Sequence, residues 1–172
     1  MLSCVCANVL TQILVGSRDD AAQFECDQPY AVISFVGTSS KRTPPRLNKS
    51  PNFVGRIVIR ADDCYDDSPY STALTVEQAR RIAKFARRMA PRIHTLFIHC
   101  AQGLGRSPGA AIAIARAFGL PWEPFLQVDD AAPNGHVTAL VAQALETLGY
   151  DCGEDPAAYD YMYEAHLARG SP

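Results

Sequence analysis

The chain has no apolar run near the length of a bilayer, no pair of C-x2-C knuckles, no internal repeat and no large excess of either charge. Each absence removes a class. A membrane helix needs about 20 consecutive apolar residues, and the runs here stop well short. A net charge of −2, from 16 Lys and Arg against 18 Asp and Glu, gives no general attraction to nucleic acid or to an anionic membrane. The opening stretch MLSCVCANVLTQILV lacks a basic flank and is broken by Asn8, Thr11 and Gln12, so it reads as a folded first element rather than an export signal. Six cysteines in 172 residues are too few for a disulfide scaffold, and Cys4 and Cys6 stand too close for the usual zinc spacing. Free thiols and a cytoplasmic location are the expectation. The length suits one domain across 1–172, with its core over about 30–148.

What the chain does carry is a strand–loop–helix pattern: an apolar run over 93–98, then HCAQGLGRSPGAA over 99–111, then a second apolar run over 112–118. A turn of this kind points successive backbone N–H groups and a helix N-terminus at one place, which binds anions before any side chain is considered. Gly103 and Gly105 let the loop curl, and Pro108 suits a first helical turn. Cys100 ends the strand and Arg106 opens the helix. In such a nest a cysteine thiolate is stabilised, and its pKa falls from ~8.5 to roughly 3.5–7.5. Arg106 offers a planar fork to two phosphate oxygens. Ser107 is placed to donate to the sulfur, and His99 to order the loop through backbone hydrogen bonds. The backbone of Ala101, Gln102, Gly103, Leu104, Gly105 and Arg106 would hold the phosphate oxygens.

Five positions, His99, Cys100, Gly103, Arg106 and Ser107, match the pattern HC-x2-G-x2-R-S/T. There the chain resembles the cysteine-dependent protein tyrosine and dual-specificity phosphatases, specifically over about 56–118 and more weakly over 30–55 and 119–148. The first 25 and last 20 residues or so carry none of the resemblance. It implies a phosphomonoester hydrolase working through a phosphocysteine intermediate, with an aspartate general acid and no metal or cofactor. The acid belongs to the run DDCYDD over 62–67. In the family it follows the strand at once, commonly as the second of a polar pair, which favours Asp63 and then Asp62. Counting back from Cys100 favours Asp67 or Asp66. Some relatives protect the nucleophile with a second cysteine, a role open to Cys64; the alternative is a buried inert thiol.

The remaining chain supplies an α/β frame. Residues 3–16 read as a short strand followed by a short helix, and 17–20 as a polar break. YAVISFV over 30–36 is a strand. Residues 38–52, with three prolines and four basic residues, read as a long exposed loop. Its Lys41, Arg42, Arg46 and Lys49 form either a solvated surface or a rim that receives a phosphorylated partner. Residues 56–61 read as the next strand. Thr75 and Gln78 form a capping box for a helix to 89, whose apolar stripe is Val76, Ala79, Ile82, Ala83, Ala86 and Met89. Its other face, Arg80, Arg81, Lys84, Arg87 and Arg88, reads as solvated rather than as a nucleic-acid footprint. The helix over 107–118 is apolar nearly all round and belongs at the centre. Residues 122–133 read as a short helix and turn. Asn134 caps a last helix carrying Val137, Leu140, Val141, Ala144, Leu145 and Leu148, closed by Gly149. A short docking helix in the tyrosine-bearing tail, with Tyr159, Tyr161 and Tyr163, is an option.

The expected architecture is a mainly parallel central sheet of about four strands with helices on both faces, like that of the dual-specificity phosphatases. Ligands of such sheets bind beyond the carboxyl ends of the strands. The acidic run and Cys100 should therefore share one cleft. The expected partner is a phosphorylated protein or a small phosphomonoester, with neither nucleic acid nor membrane. Competing functions are a phosphate-binding module without turnover, and a phosphatase of inositol phosphates, phosphoinositides or RNA 5′ phosphates. The neutral Ala101, Gln102, Leu104 and Gly105 lean towards a less highly charged substrate.

Overall fold

The computed structural model of the chain describes residues 9–39, 43–48, 50–65, 67–126 and 132–153. Four strands, β1 (Gln12–Gly16), β2 (Tyr30–Val36), β3 (Phe53–Arg60) and β4 (Thr95–His99), form one all-parallel sheet in the order β1-β4-β2-β3. β2 and β4 are central and buried at every residue. Their near-continuous apolar sequence is what a parallel strand covered on both faces requires. The helices are α1 (Arg18–Gln23), α2 (Val76–Met89), α3 (Arg106–Ala117) and α4 (Gly135–Glu146), with a 3-10 turn at Glu123–Leu126.

Alternation along the strands sorts the side chains into two layers. Ala31, Ile33 and Phe35 of β2 and Leu96 and Ile98 of β4 join the main core with α2, α3 and α4. Tyr30, Val32 and Phe97 face the other way, where Ala21 of α1 and Phe24 cover them. The rings of Phe24 and Phe97 stack with centroids 4.2 Å apart. α3 is the central helix, buried without interruption from Arg106 to Ala115. Both halves of the α2 capping box are made by Thr75 and Gln78. Asn134 caps α4 by accepting from the Val137 N–H at 3.1 Å. Gly149, at φ +88°, ends the turn after it.

Several boundaries differ from the sequence reading. β3 starts at Phe53 rather than at 56, because Gly55 inside the strand hides its pattern, and β4 starts at Thr95. The stretch 17–20 is no break: Ser17 and Asp20 make a capping box and open α1. The strand near the N-terminus spans only residues 12–16, and the helix that follows it, α1, starts inside the stretch 17–20. Val76 is half exposed, and Phe85 takes the buried place on α2 that the stripe gave to it. The loop after β2 is not wholly exposed: Pro45 is buried and Leu47 packs against the second core layer. Lys41, Arg42, Lys49, Asp66, residues 127–131 and the tail tyrosines lie outside the described residues. No helix among the described residues is long and apolar enough to cross a membrane.

Candidate active site

β4 delivers Cys100 to the carboxyl edge of the sheet, and residues 101–105 curl from there into α3. Cys100 is buried. Its Sγ receives the Gly103 N–H at 3.2 Å and the Ser107 hydroxyl at 3.3 Å. Gly103 stands at φ +83°, and a Cβ there would come within 2.8 Å of the Gly16 backbone, so glycine is required twice over. The neighbouring elements hold the loop: the Cys100 N–H donates to the Gly16 carbonyl at 3.3 Å, and the Arg18 N–H donates to that of Ala101 at 3.1 Å. Burial pushes the Cys100 thiol up, but hydrogen bonds from Ser107 and Gly103 and the charge of Arg106 outweigh it, and the net shift is downward. No side chain caps the N-terminus of α3, and the Ser107 backbone N–H there adds a further bond to Cys100.

Arg106 is buried, and its Nη1 donates to the Ala61 carbonyl at 2.6 Å, just beyond β3. Its Nε lies 3.8 Å from Asp63 Oδ2 and has no hydrogen-bond acceptor among the described residues. Asp63 also reaches the cysteine loop directly, since a Cβ on Gly105 would overlap its carboxylate. The acidic run and the cysteine loop thus share one cleft, as the order of strands requires.

The carboxylates of that run separate by what they touch. Asp62 accepts from the Thr38 N–H at 3.0 Å, from the Thr38 hydroxyl and from the Thr72 N–H at 3.0 Å. Burial raises its proton affinity, but these bonds and the Arg106 charge prevail and hold it below the usual carboxylate range. Asp67 accepts from the Ala73 N–H at 2.9 Å. Both are tied into turns. Asp63 faces the cysteine loop, and Asn134 Nδ2 donates to its Oδ1 at 2.8 Å. Cys64 is a free, half-buried thiol, as Cys100 is a free buried one. Burial and the three nearby carboxylates of Asp62, Asp67 and Asp63 raise the Cys64 thiol against a bond from Ser71, so it is kept protonated.

His99 is fully buried. Its Nε2 lies 2.7 Å from Ser34 Oγ, which also accepts from Arg56 Nε at 2.7 Å. The serine then has its one hydrogen to give to Nε2. The ring proton falls on Nδ1, which makes a weak bond to the Cys100 carbonyl at 3.4 Å. Burial, with the charges of Arg56, Arg18 and Arg106, lowers the imidazole pKa to about 4, so the ring is neutral.

No protein-family model matches this chain, and no curated protein matches it. Solved structures do. Human DUSP28 aligns with a TM-score of 0.54 at 14% identity, covering 83% of this chain and 96% of that one. The human tyrosine phosphatase-like serine/threonine/tyrosine-interacting protein aligns at 0.52 and 15%, covering 82% and 95%. PTPMT1 in complex with PI(5)P aligns at 0.53 and 10%, covering 83% and 95%. The fold is that of the dual-specificity phosphatases. Within this phosphatase fold two groups stand at the site that the sequence reading left out of it. Asn134 appeared there only as a helix cap, yet its N–H donates to the Gly105 carbonyl at 3.0 Å while its amide holds Asp63. Arg56 and Ser34 sit within strands, and the one signal at Arg56, a charge inside an apolar run, is shared by Arg60 at the end of the same strand.

Proposed function

We propose that the protein is a phosphomonoester hydrolase acting through a phosphocysteine intermediate. The observation that carries this reading is that Cys100 Sγ accepts from Gly103 and Ser107 and feels the charge of buried Arg106, with one carboxylate, Asp63, facing the same loop. The thiolate attacks phosphorus in line, and the ester oxygen departs. The loop N–H groups of 101–106 and Arg106 hold the equatorial oxygens, where phosphoryl transfer needs its charge stabilised. A dianion bound there takes the guanidinium from Asp63 and frees that carboxyl to give its proton to the leaving oxygen. Asp63 then removes a proton from the water that cleaves the phosphocysteine, a contribution of typically 10²–10⁴ in rate. Ser107, bonded to Sγ, stabilises the thiolate as it leaves. Neutral His99 positions the loop through the Cys100 carbonyl.

The substrate class we assign is a phosphorylated protein or small phosphomonoester, since Arg106 is the single cation among residues 100–107. One fold neighbour is described as a phosphatase-like interacting protein and another binds PI(5)P, so the fold by itself selects neither turnover nor substrate. The test is hydrolysis of an aryl phosphate across pH by the wild type, Cys100→Ser and Asp63→Asn. Loss of turnover in Cys100→Ser, and a drop of about 10²-fold or more with loss of the basic limb in Asp63→Asn, is the expected result. Wild-type protein that binds phosphate without hydrolysing the ester would replace this reading with a binding module.

A further inference from the structure

A second concentration of positive charge lies on β3 and the segment 43–48, joined to His99 through Ser34. Between β3 and the segment 43–48 is a cavity of about 620 Å³, lined by Arg46, Leu47, Asn48, Phe53 and Arg56. Two arginines and, among the described residues, no acidic residue line it. The exposed Glu25 reaches only the side-chain amide of Asn48. Arg56 is held in place, with Nε on Ser34 Oγ at 2.7 Å and Nη1 on the Pro45 carbonyl at 2.9 Å. Its remaining nitrogen, Nη2, is buried and has no acceptor among the described residues. Among the described residues no carboxylate lies within ion-pair distance of Arg56. A half-buried cation with an unmet donor is costly unless something anionic completes it.

We propose that this cavity is a second anion-binding site, taking a phosphomonoester with an apolar body. The phosphoryl oxygens meet the guanidiniums of Arg46 and Arg56, and the body lies against Leu47 and Phe53. Because Nη2 is buried, an anion reaches it only with a shift of the side chains that line the cavity. None of the lining residues belongs to the cysteine loop, and β3 lies two strands from β4, about 10 Å across the sheet. The site therefore does not depend on Cys100 acting as a nucleophile.

The test is a ¹H–¹⁵N NMR titration of the full chain carrying Cys100→Ser, with phenyl phosphate and separately with inorganic phosphate. The amides of 46–48 and 53–56 should follow a dissociation constant of their own, distinct from that of the amides of 101–106. Phenyl phosphate should bind this site more tightly than inorganic phosphate, because only the ester touches Leu47 and Phe53. Adding Arg46→Glu, an exposed substitution, should weaken this site about tenfold or more and leave the cysteine-loop response within about twofold. Silence at 46–48 and 53–56 while the cysteine loop saturates, or a response that Arg46→Glu leaves unchanged, would overturn the proposal. Binding here with a silent cysteine loop would sink the hydrolase reading and leave this one standing.

Discussion

At the residue scale the site is a problem of sorting similar groups. The acidic run offers four carboxylates, and composition gives no reason to prefer one. Hydrogen bonding does. Asp62 spends its oxygens on Thr38 and on the Thr72 N–H, and Asp67 accepts from the Ala73 N–H, whereas Asp63 is met by Asn134 and by Arg106. Asn134 is buried and its bonds run in several directions, among them to Asp63 Oδ1, to the Gly105 carbonyl and from the Val137 N–H. It fixes the carboxyl against the loop that would hold the substrate, and so serves as a positioning residue. Replacing it with serine keeps a cap for α4 but removes the amide bond to Asp63. On the hydrolase reading, Asn134→Ser should lower kcat about tenfold for an ester with a poor leaving group. It should change little for p-nitrophenyl phosphate, whose leaving group needs less protonation. Equal losses on both esters would show that Asn134 acts on the loop as a whole.

At the element scale, what the sequence made legible and what it did not divide along one physical line. β2, α2 and α4 announce themselves because their signals are local: a β-branched run, a capping box, a clean helical stripe. The strand–loop–helix around Cys100 is legible for the same reason, since both glycines, the proline and the arginine are within one turn of each other. β1 and α1 were the failure. β1 is an edge strand of five residues with one exposed flank, and α1 has six residues and needs the sheet to exist at all. Their worth appears only in three dimensions, where the end of β1 and the start of α1 brace the cysteine loop. Even so, Ser17 and Asp20 are a capping pair that the sequence displayed. The bracing makes Gly103 the joint between two distant segments. Gly103→Ala would strain φ +83° and push a methyl into the Gly16 backbone. A loss of about 1–3 kcal/mol in urea-unfolding stability is expected, with the Cys100 thiol titrating higher as its N–H donor moves away. An unchanged thiol titration, followed by ultraviolet absorbance, would mean that the joint carries no electrostatic load.

At the scale of the whole molecule the sheet has an unequal pair of faces, and the difference sets how the protein responds to acid. The face under α2, α3 and α4 is uniformly apolar. The face under α1 is apolar only at its amino end; towards the carboxyl end it carries Arg56, Ser34 and His99 on three adjacent strands, joined by two bonds of 2.7 Å. This row is a buried polar network, which stabilises only while each member is satisfied. Its Ser34–His99 link is satisfied with a neutral imidazole. Protonating His99 would place a second cation beside Arg56 and cost Nε2 its role as acceptor from Ser34. The folded-state pKa of about 4 against 6.5 for an unperturbed histidine states the same preference. The sign follows from linkage: below about 6.5 the unfolded chain binds the proton and the folded one does not. The stabilisation is therefore complete above that pH, falls as pH drops and is lost below about 4. Between pH 7 and pH 5 this one group should remove about 2 kcal/mol of stability. Urea unfolding of the wild type and of His99→Asn at both pH values checks it. The variant should lose that much of the pH dependence whatever its absolute stability, and identical slopes in the two proteins would place the acid sensitivity elsewhere.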